Sequence, residues 1–346
     1  EGYPSKDFFK ALHPDFENVV AEKMKTDIYA NGVKAGGLLP EMAAKLGLKA
    51  GTAVATGAVD AHVAVPASTV IDEGKMVMIM GTSLCHMVCG TDKKVIDGMC
   101  GVVKDGILPG YYGFEAGQTA VGDIFAWFIN NCVPAQIIDD AKKEGLDVHG
   151  YLGKHAAELK VGESGVLCLD WWNGNRSILV NADLTGLMVG MTLGTTPAEM
   201  YRAILECTAF GTNKIIKQLE QGGVPITELY ACGGLPGKNP LLMQIFADVT
   251  NREIKVSASD QTVALGGAMW GAVAAGKAAG GYDTIADAAA KMARLRPETF
   301  KPNAANHEVY KKLFAEYERL LVRTGRAGDP VMKNLKDIKY SVRSEA

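Results

Sequence analysis

Apolar and polar positions divide the chain into short strand-like runs and longer helix-like stripes. Residues 75–90 hold two apolar runs around Gly81-Thr82-Ser83. Runs this short, bounded by glycine, predict the two arms of a hairpin. An earlier short strand is predicted between Gly51 and Gly57, delivering Asp60 and His62 beyond its C-terminal end. After the hairpin comes a further apolar alternation, then an aromatic run from Tyr111 that ends in Glu115, flanked by Gly113 and Gly117. Val121, Ile124, Phe125 and Phe128 follow at helical spacing. Further strands are predicted at 167–170, 228–232 and 252–257. Helices alternate with them. Pro40 to Gly47 has proline first and glycine last, and Thr196-Pro197-Ala198-Glu199 is a capping box. Asn239-Pro240 opens a helix with Leu242, Ile245, Phe246 and Val249 inward, and residues 262–277 form an alanine- and glycine-rich helix suited to tight packing. Residues 133–165 read as a polar surface excursion, and the chain beyond 280 as two charged helices and a polar tail. Strands alternating with helices predict an α/β fold.

Three turns carry candidate chemistry. Gly81 lets the backbone approach a ligand without a Cβ in the way, and Thr82 and Ser83 add hydroxyls beside turn N–H groups. Such a turn is either an anion-binding nest suited to phosphate or an ordinary hairpin turn. Gly233-Gly234 follows a strand and precedes the Asn239 cap, a second place of close approach. It is neither a P-loop nor a dinucleotide fingerprint. Asp60 stands where ligands of open α/β sheets usually sit. Glu115 is either a site carboxylate or a solvated loop residue. Trp171 and Trp172 either plug a core or line a sugar site. Backbone donors with a carboxylate fit phosphoryl transfer better than hydrolysis. Rival chemistries score lower. Cys85, His86 and Cys89 lie inside a strand and read as core rather than metal ligands. Residues 162–165 lack the nucleophile-elbow spacing, and His149 and His155 fall in the polar excursion without a ligand set. His62 reads as a packed or hydrogen-bonded residue rather than a catalyst, with tuning of Asp60 as a further role.

Composition narrows the class. The chain has 346 residues, enough for two domains as a prior, with a formal net charge of −3. That balance gives no electrostatic case for nucleic acid or an anionic membrane. No apolar run reaches the length of a membrane span, and the first residues lack a signal-peptide core. Seven cysteines, mostly in apolar stretches, read as reduced thiols of a cytoplasmic protein.

The residues named above resemble the FGGY carbohydrate kinases. The resemblance rests on Val59-Asp60-Ala61-His62, Met80-Gly81-Thr82-Ser83 with Cys85-His86-Met87, Gly98-Met99-Cys100-Gly101, Gly113-Phe114-Glu115-Ala116-Gly117-Gln118, Leu169-Asp170-Trp171-Trp172-Asn173-Gly174-Asn175-Arg176 and Gly233-Gly234-Leu235-Pro236. It runs from about Gly36 to Lys277. It implies an actin-like, ribonuclease-H-like ATPase fold of two domains, with ATP on one side of a cleft and sugar between. It implies ATP-dependent phosphorylation of a small-molecule sugar with Mg²⁺. The Asp170 to Arg176 stretch and Cys85-His86 favour L-ribulose, giving L-ribulose 5-phosphate, over xylulose or glycerol. By resemblance Asp60 is the catalytic base and a substrate contact, and Glu115 a second sugar contact. Gly81 and Thr82 match the phosphate hairpin, Gly122 a nucleotide-contacting glycine, and Gly233, Gly234 and Asn239 the adenosine turn. The glutamine the family carries four residues after that glycine is Ala126 here. No protein metal ligand is implied, and a homodimer is possible.

A complete member begins with a strand and an Asp-x-Gly-Thr-type turn for the other phosphate site, and none precedes Asp60. The chain is therefore expected to be a C-terminal portion. Residues 1–65 are then a remnant of the first domain ending at the catalytic Asp, 66–280 a nearly complete second domain, and 281–346 C-terminal helices and tail. The alternatives are another ketose kinase of the family, such as one for xylulose, or a nucleotide-binding remnant without turnover.

Overall fold

The computed structural model describes residues 3–24, 27–326 and 330–344. Its strands are β1 (Lys34–Gly37), β2 (Ala53–Ala55), β3 (Lys75–Met80), β4 (Leu84–Gly90), β5 (Gly101–Lys104), β6 (Tyr112–Gln118), β7 (Leu167–Leu169), β8 (Leu187–Val189), β9 (Glu228–Gly233), β10 (Ile254–Ser257) and β11 (Leu295–Phe300). Seven of them make one mixed sheet in the order β11-β10-β9-β3-β4-β6-β5. β3, β9 and β10 run parallel, and the other pairs are antiparallel. β1 pairs with β2, and β7 with β8, in two small ribbons.

The apolar run of β3 is continuous because both faces of the sheet are covered. Met76, Met78 and Met80 point into one core, with the helices Gly122–Cys132, Pro197–Gln221, Pro240–Thr250 and Ala304–Leu321. Val77, Met87 and Cys89 point into the other, with Asp60–Ala67, Thr262–Ala275 and Ile285–Met292. Gly266 of the Thr262–Ala275 helix lies where any Cβ would collide with the Val63 carbonyl, so the two helices on that face meet backbone to side. This packing holds Asp60 against the sheet. The helix it starts runs across the boundary expected at residue 65. The capping box of the long helix is formed in both directions: Glu199 N donates to Thr196 Oγ1 at 3.3 Å, and Thr196 N to Glu199 Oε2 at 2.7 Å.

Several segments differ from expectation. The polar excursion holds two helices, Ala135–Lys143 and Val148–Glu158. Leu152 and Ala156 bury one turn of the second against the long helix, and the many polar neighbours hid that short stripe. The chain beyond 280 adds β11 to the sheet edge, and Tyr310, Phe314 and Tyr317 to the core. Pro297 and the charges of β11 concealed it, and an edge position tolerates both. β10 begins two residues later than expected, and the Thr262–Ala275 helix ends two residues sooner, at Gly276 with φ +74°. Among the described residues no helix is long and apolar enough to cross a membrane.

Candidate active site

The Gly81-Thr82-Ser83 turn joins β3 to β4 at the sheet's end. Gly81 N donates to Ser83 O at 3.0 Å, which leaves the N–H groups and hydroxyls of Thr82 and Ser83 as the turn's candidate donors. The turn carbonyls receive the start of the Gly122–Cys132 helix: Val121 N donates to Thr82 O at 2.9 Å, and Gly122 N to Gly81 O at 3.1 Å. A Cβ on Gly122 would stand 2.8 Å from Gly81 O, so only glycine allows this docking. Gly233 pairs with Met80 in the β3–β9 register and takes φ +95°, with its Cα against the Met80 carbonyl. Gly81, Gly122 and Gly233 thus meet at one point, although 41 and 111 residues separate them in sequence (122 − 81 and 233 − 122).

Beside that point lies a cavity of about 770 Å³, lined by Gly122, Phe125, His149, Tyr201, Leu235 and Asn239 among others. Gly234 caps the short helix Leu235–Lys238. Asn239 Oδ1 accepts from Leu242 N at 2.9 Å, so the side chain caps the next helix and faces the cavity at the same time. His149 Nδ1 lies 3.1 Å from Tyr201 Oη, and burial lowers the pKa of His149. Both residues escaped the sequence reading as site residues. His149 sits in the supposed excursion, and Tyr201 looked like one more apolar residue on a helix face.

A second cluster gathers the carboxylates. Asp60 is the first residue of its helix, and its exposed side chain accepts from Ala61 N at 2.7 Å. An anion there is favoured by the helix N-terminus. Glu115 projects from β6 and pairs with Arg176 and with His62. His62 was expected to tune Asp60; its hydrogen-bonding partners are Glu115 and the Gly106 carbonyl instead. Two residues apart on one helix, the side chains of Asp60 and His62 do not face each other, and His62 is aimed at Glu115 of β6. Arg176 entered the sequence reading only as part of a motif. No local signal ties it to Glu115, 61 residues away (176 − 115). Burial raises the pKa of the Cys85 thiol, Arg176 opposes this, and Glu115 and Asp60 add to it, which puts both carboxylates within electrostatic reach of one point.

Beneath the cluster runs a buried polar network. Gln118 Nε2 donates to Asp170 Oδ2 at 2.7 Å and to Thr208 O at 3.0 Å. Its Oε1 accepts from Thr212 at 2.8 Å and lies 3.4 Å from His86 Nε2. Tyr317 Oη donates to Asp170 Oδ1 at 2.8 Å. The network ties β4 and β6 to the Asp170 to Arg176 loop. It also explains the tryptophans: Trp171 is wholly buried and plugs the core, while Trp172 packs on Trp127. His86 and Cys89 are core residues, as read from sequence. Among the described residues no group of three or more His, Cys, Asp or Glu side chains gathers to hold a metal.

Residues 76–275 match the C-terminal domain of the FGGY family of carbohydrate kinases. The chain belongs to this family. It is similar to proteins named "Ribulokinase": that of Anoxybacillus flavithermus is 58% identical over 344 residues, which is 99% of this chain and 61% of the relative. That of Geobacillus thermodenitrificans is 57% identical over 99% of this chain and 61% of the relative, and that of Mycolicibacterium smegmatis 46% over 96% and 58%. The chain therefore spans about three-fifths of the length of the curated relatives it matches. In structure it is similar to a xylulose kinase from Rhodospirillum rubrum (TM-score 0.73, 23% identical, 90% of this chain and 60% of that one). A gluconate kinase from Lactobacillus acidophilus gives a TM-score of 0.75 at 20% identity, over 90% of this chain and 60% of that one. These likenesses show a shared fold, and the mixed sheet with helices on both faces is consistent with the actin-like ATPase domain expected from the FGGY pattern.

Proposed function

We propose that this chain belongs to an enzyme that phosphorylates L-ribulose at its terminal hydroxyl with ATP, giving L-ribulose 5-phosphate. The observation that carries the reading is the 55–58% identity to ribulokinases across nearly the whole chain. The geometry suits it. Gly122 and Gly233 let the backbone pack closely around the hairpin turn, and a Cβ on Gly81 would meet only Ser83 O at 3.9 Å, so the turn is open to the approach of a polyphosphate. Asn239 lines the cavity of about 770 Å³, and Gly234 immediately precedes Leu235 in its lining. ATP supplies the phosphoryl group, and Mg²⁺ enters on its phosphates to neutralise their charge. Asp60 accepts the proton of the sugar hydroxyl as the phosphoryl group moves, and Glu115 receives other sugar hydroxyls. We place residues 1–65 with the first domain, 66–280 as the second, and 281–346 as its C-terminal extension. The seven unpaired thiols suit a reducing cytoplasm, and a homodimer is the assembly to test by sedimentation.

The test is a coupled ADP-release assay with L-ribulose, D-xylulose and glycerol. Release that follows L-ribulose supports the assignment; a preference for xylulose moves it to a sister ketose kinase. A second reading, a nucleotide-binding portion without turnover, is favoured by the three-fifths span. ATP binding with no sugar-dependent ADP release would establish it.

A further inference from the structure

Both oxygens of Glu115 are engaged. Oε1 accepts from Arg176 Nη2, and Oε2 lies 3.3 Å from His62 Nε2. The other ring nitrogen, His62 Nδ1, lies 2.9 Å from the Gly106 carbonyl oxygen. A carbonyl oxygen only accepts, so Nδ1 carries a proton. A carboxylate oxygen only accepts too. The contact of Nε2 with Glu115 is then a hydrogen bond only when Nε2 also carries a proton and the ring is an imidazolium. Arg176 is itself held, with Nε donating to Cys100 Sγ at 3.0 Å and Nη1 3.9 Å from Cys85 Sγ. The His62 side chain is 12% exposed and that of Glu115 27%, so the pair is sheltered while the carboxylate keeps an open side. The other charged groups around the ring are Asp60 on its own helix, Lys104 at the end of β5 with Asp105 just after it, and Arg176 beyond the carboxylate.

We infer that Arg176 and His62 are positioning residues that clamp the Glu115 carboxylate from two sides, and that the protonated ring of His62 sets how well Glu115 receives the hydroxyls of a ketopentose. The inference rests on the sugar reading of Glu115 given above. The arm from Arg176 carries a fixed charge, and the arm from His62 is a hydrogen bond only while Nε2 holds a proton. Loss of the Nε2 proton turns a donor into a lone pair facing a carboxylate oxygen. The carboxylate then loses one of its two anchors. Sugar affinity is expected to fall as pH rises, while nucleotide affinity does not follow, because the glycine cradle makes no contact with the clamp.

Two measurements test this separately, the first on the 346-residue chain and the second on that chain joined to the remaining two-fifths or so of the Anoxybacillus relative, which supplies the other wall of the cleft. The first is the ¹⁵N spectrum of the His62 ring. Both nitrogens should carry protons in the wild type, and Nε2 should lose its proton in Glu115→Gln under the same conditions. A ring with one protonated nitrogen that ignores Glu115→Gln overturns the clamp. The second is calorimetric titration with L-ribulose from about pH 6 to about pH 8.5, a range that spans histidine titration. Wild-type affinity should fall about tenfold across it, the size of one lost charge-assisted hydrogen bond. His62→Gln keeps a neutral donor and should bind with little pH dependence. His62→Leu should bind weakly throughout, and Arg176→Lys, with no fork, should lose about tenfold at every pH. A wild-type profile flat in pH, or His62→Gln as pH-dependent as wild type, overturns the role assigned to His62. No ribulose binding at any pH overturns the sugar reading of Glu115 and the positioning role built on it, whatever the ring spectrum shows.

Discussion

Asp60 and Glu115 are both carboxylates on the same side of the sheet, yet their surroundings assign them different work. Asp60 is exposed, and among the described residues its side chain accepts from the next backbone N–H alone. A carboxylate left this open is available to take a proton. In the chain joined to the remaining two-fifths or so of the Anoxybacillus relative, Asp60→Asn should keep nucleotide binding and lower kcat by about 10²–10⁴-fold, the usual contribution of a placed base. A fall below tenfold would remove the role. Glu115 is held by Arg176 and by His62, which fixes the direction in which it accepts hydrogen bonds. Glu115→Gln keeps its shape and loses its charge. KM for ribulose should rise about tenfold, or about 1.4 kcal/mol, with KM for ATP nearly unchanged. A rise confined to ATP would place Glu115 on the nucleotide side. Both residues were legible in the sequence because each sits beside its own punctuation, a strand end or flanking glycines. The partners of Glu115 were not. Histidine and arginine 53 and 61 residues away meet it only through the pairing of strands and the path of a loop.

At the scale of elements, the hairpin and the buried network beneath it respond to different perturbations. A Cβ on Gly81 would find its nearest atom at 3.9 Å, whereas one on Gly122 would crowd Gly81 O at 2.8 Å. Gly81→Ala should therefore fold as wild type and weaken ATP binding about tenfold by narrowing the approach to the turn. Gly122→Ala should weaken it too, but with a lowered melting temperature, because the helix must back away from the hairpin. Equal melting temperatures for the two variants would contradict this account. His86 gives the network a pH dependence. Burial pushes its pKa down to about 4 from 6.5. The unfolded chain then binds the proton more tightly than the folded one. Stability is fully present above about pH 6.5 and is lost as pH falls towards about 4, by about 3 kcal/mol at most. Urea unfolding of wild type and His86→Gln across this range should show the slope reduced in the variant. Strands and helices with an uninterrupted apolar run or stripe were legible: β3, β4, β9 and the long helix. β11 was not, since an edge strand needs only one covered face and carries proline and charge. The helix Val148–Glu158 was masked by its own polar neighbours, and with it the wall of the nucleotide-sized cavity.

Among the described residues the sheet is covered on both faces by two hydrophobic clusters, so the part from the Asp60–Ala67 helix onward has a core of its own. Catalysis asks for more. Phosphoryl transfer needs water excluded from the γ-phosphate, which kinases of this kind obtain by closing a cleft. The cradle glycines, Asp60 and Glu115 all lie on one wall. The relatives named ribulokinase are longer, and this chain matches 61% of their length. The 346 residues by themselves are therefore expected to unfold cooperatively on heating and to bind ATP weakly. They should release no measurable ADP in response to L-ribulose. Joined to the remaining two-fifths or so of the Anoxybacillus relative, they should turn over, because the second wall then supplies closure and the other half of the phosphate contacts. A coupled ADP-release assay run on both proteins reads the difference directly. Substantial ribulose-dependent turnover by the shorter protein would show that the wall described by these residues is enough, and that neither cleft closure nor a second set of phosphate contacts is required.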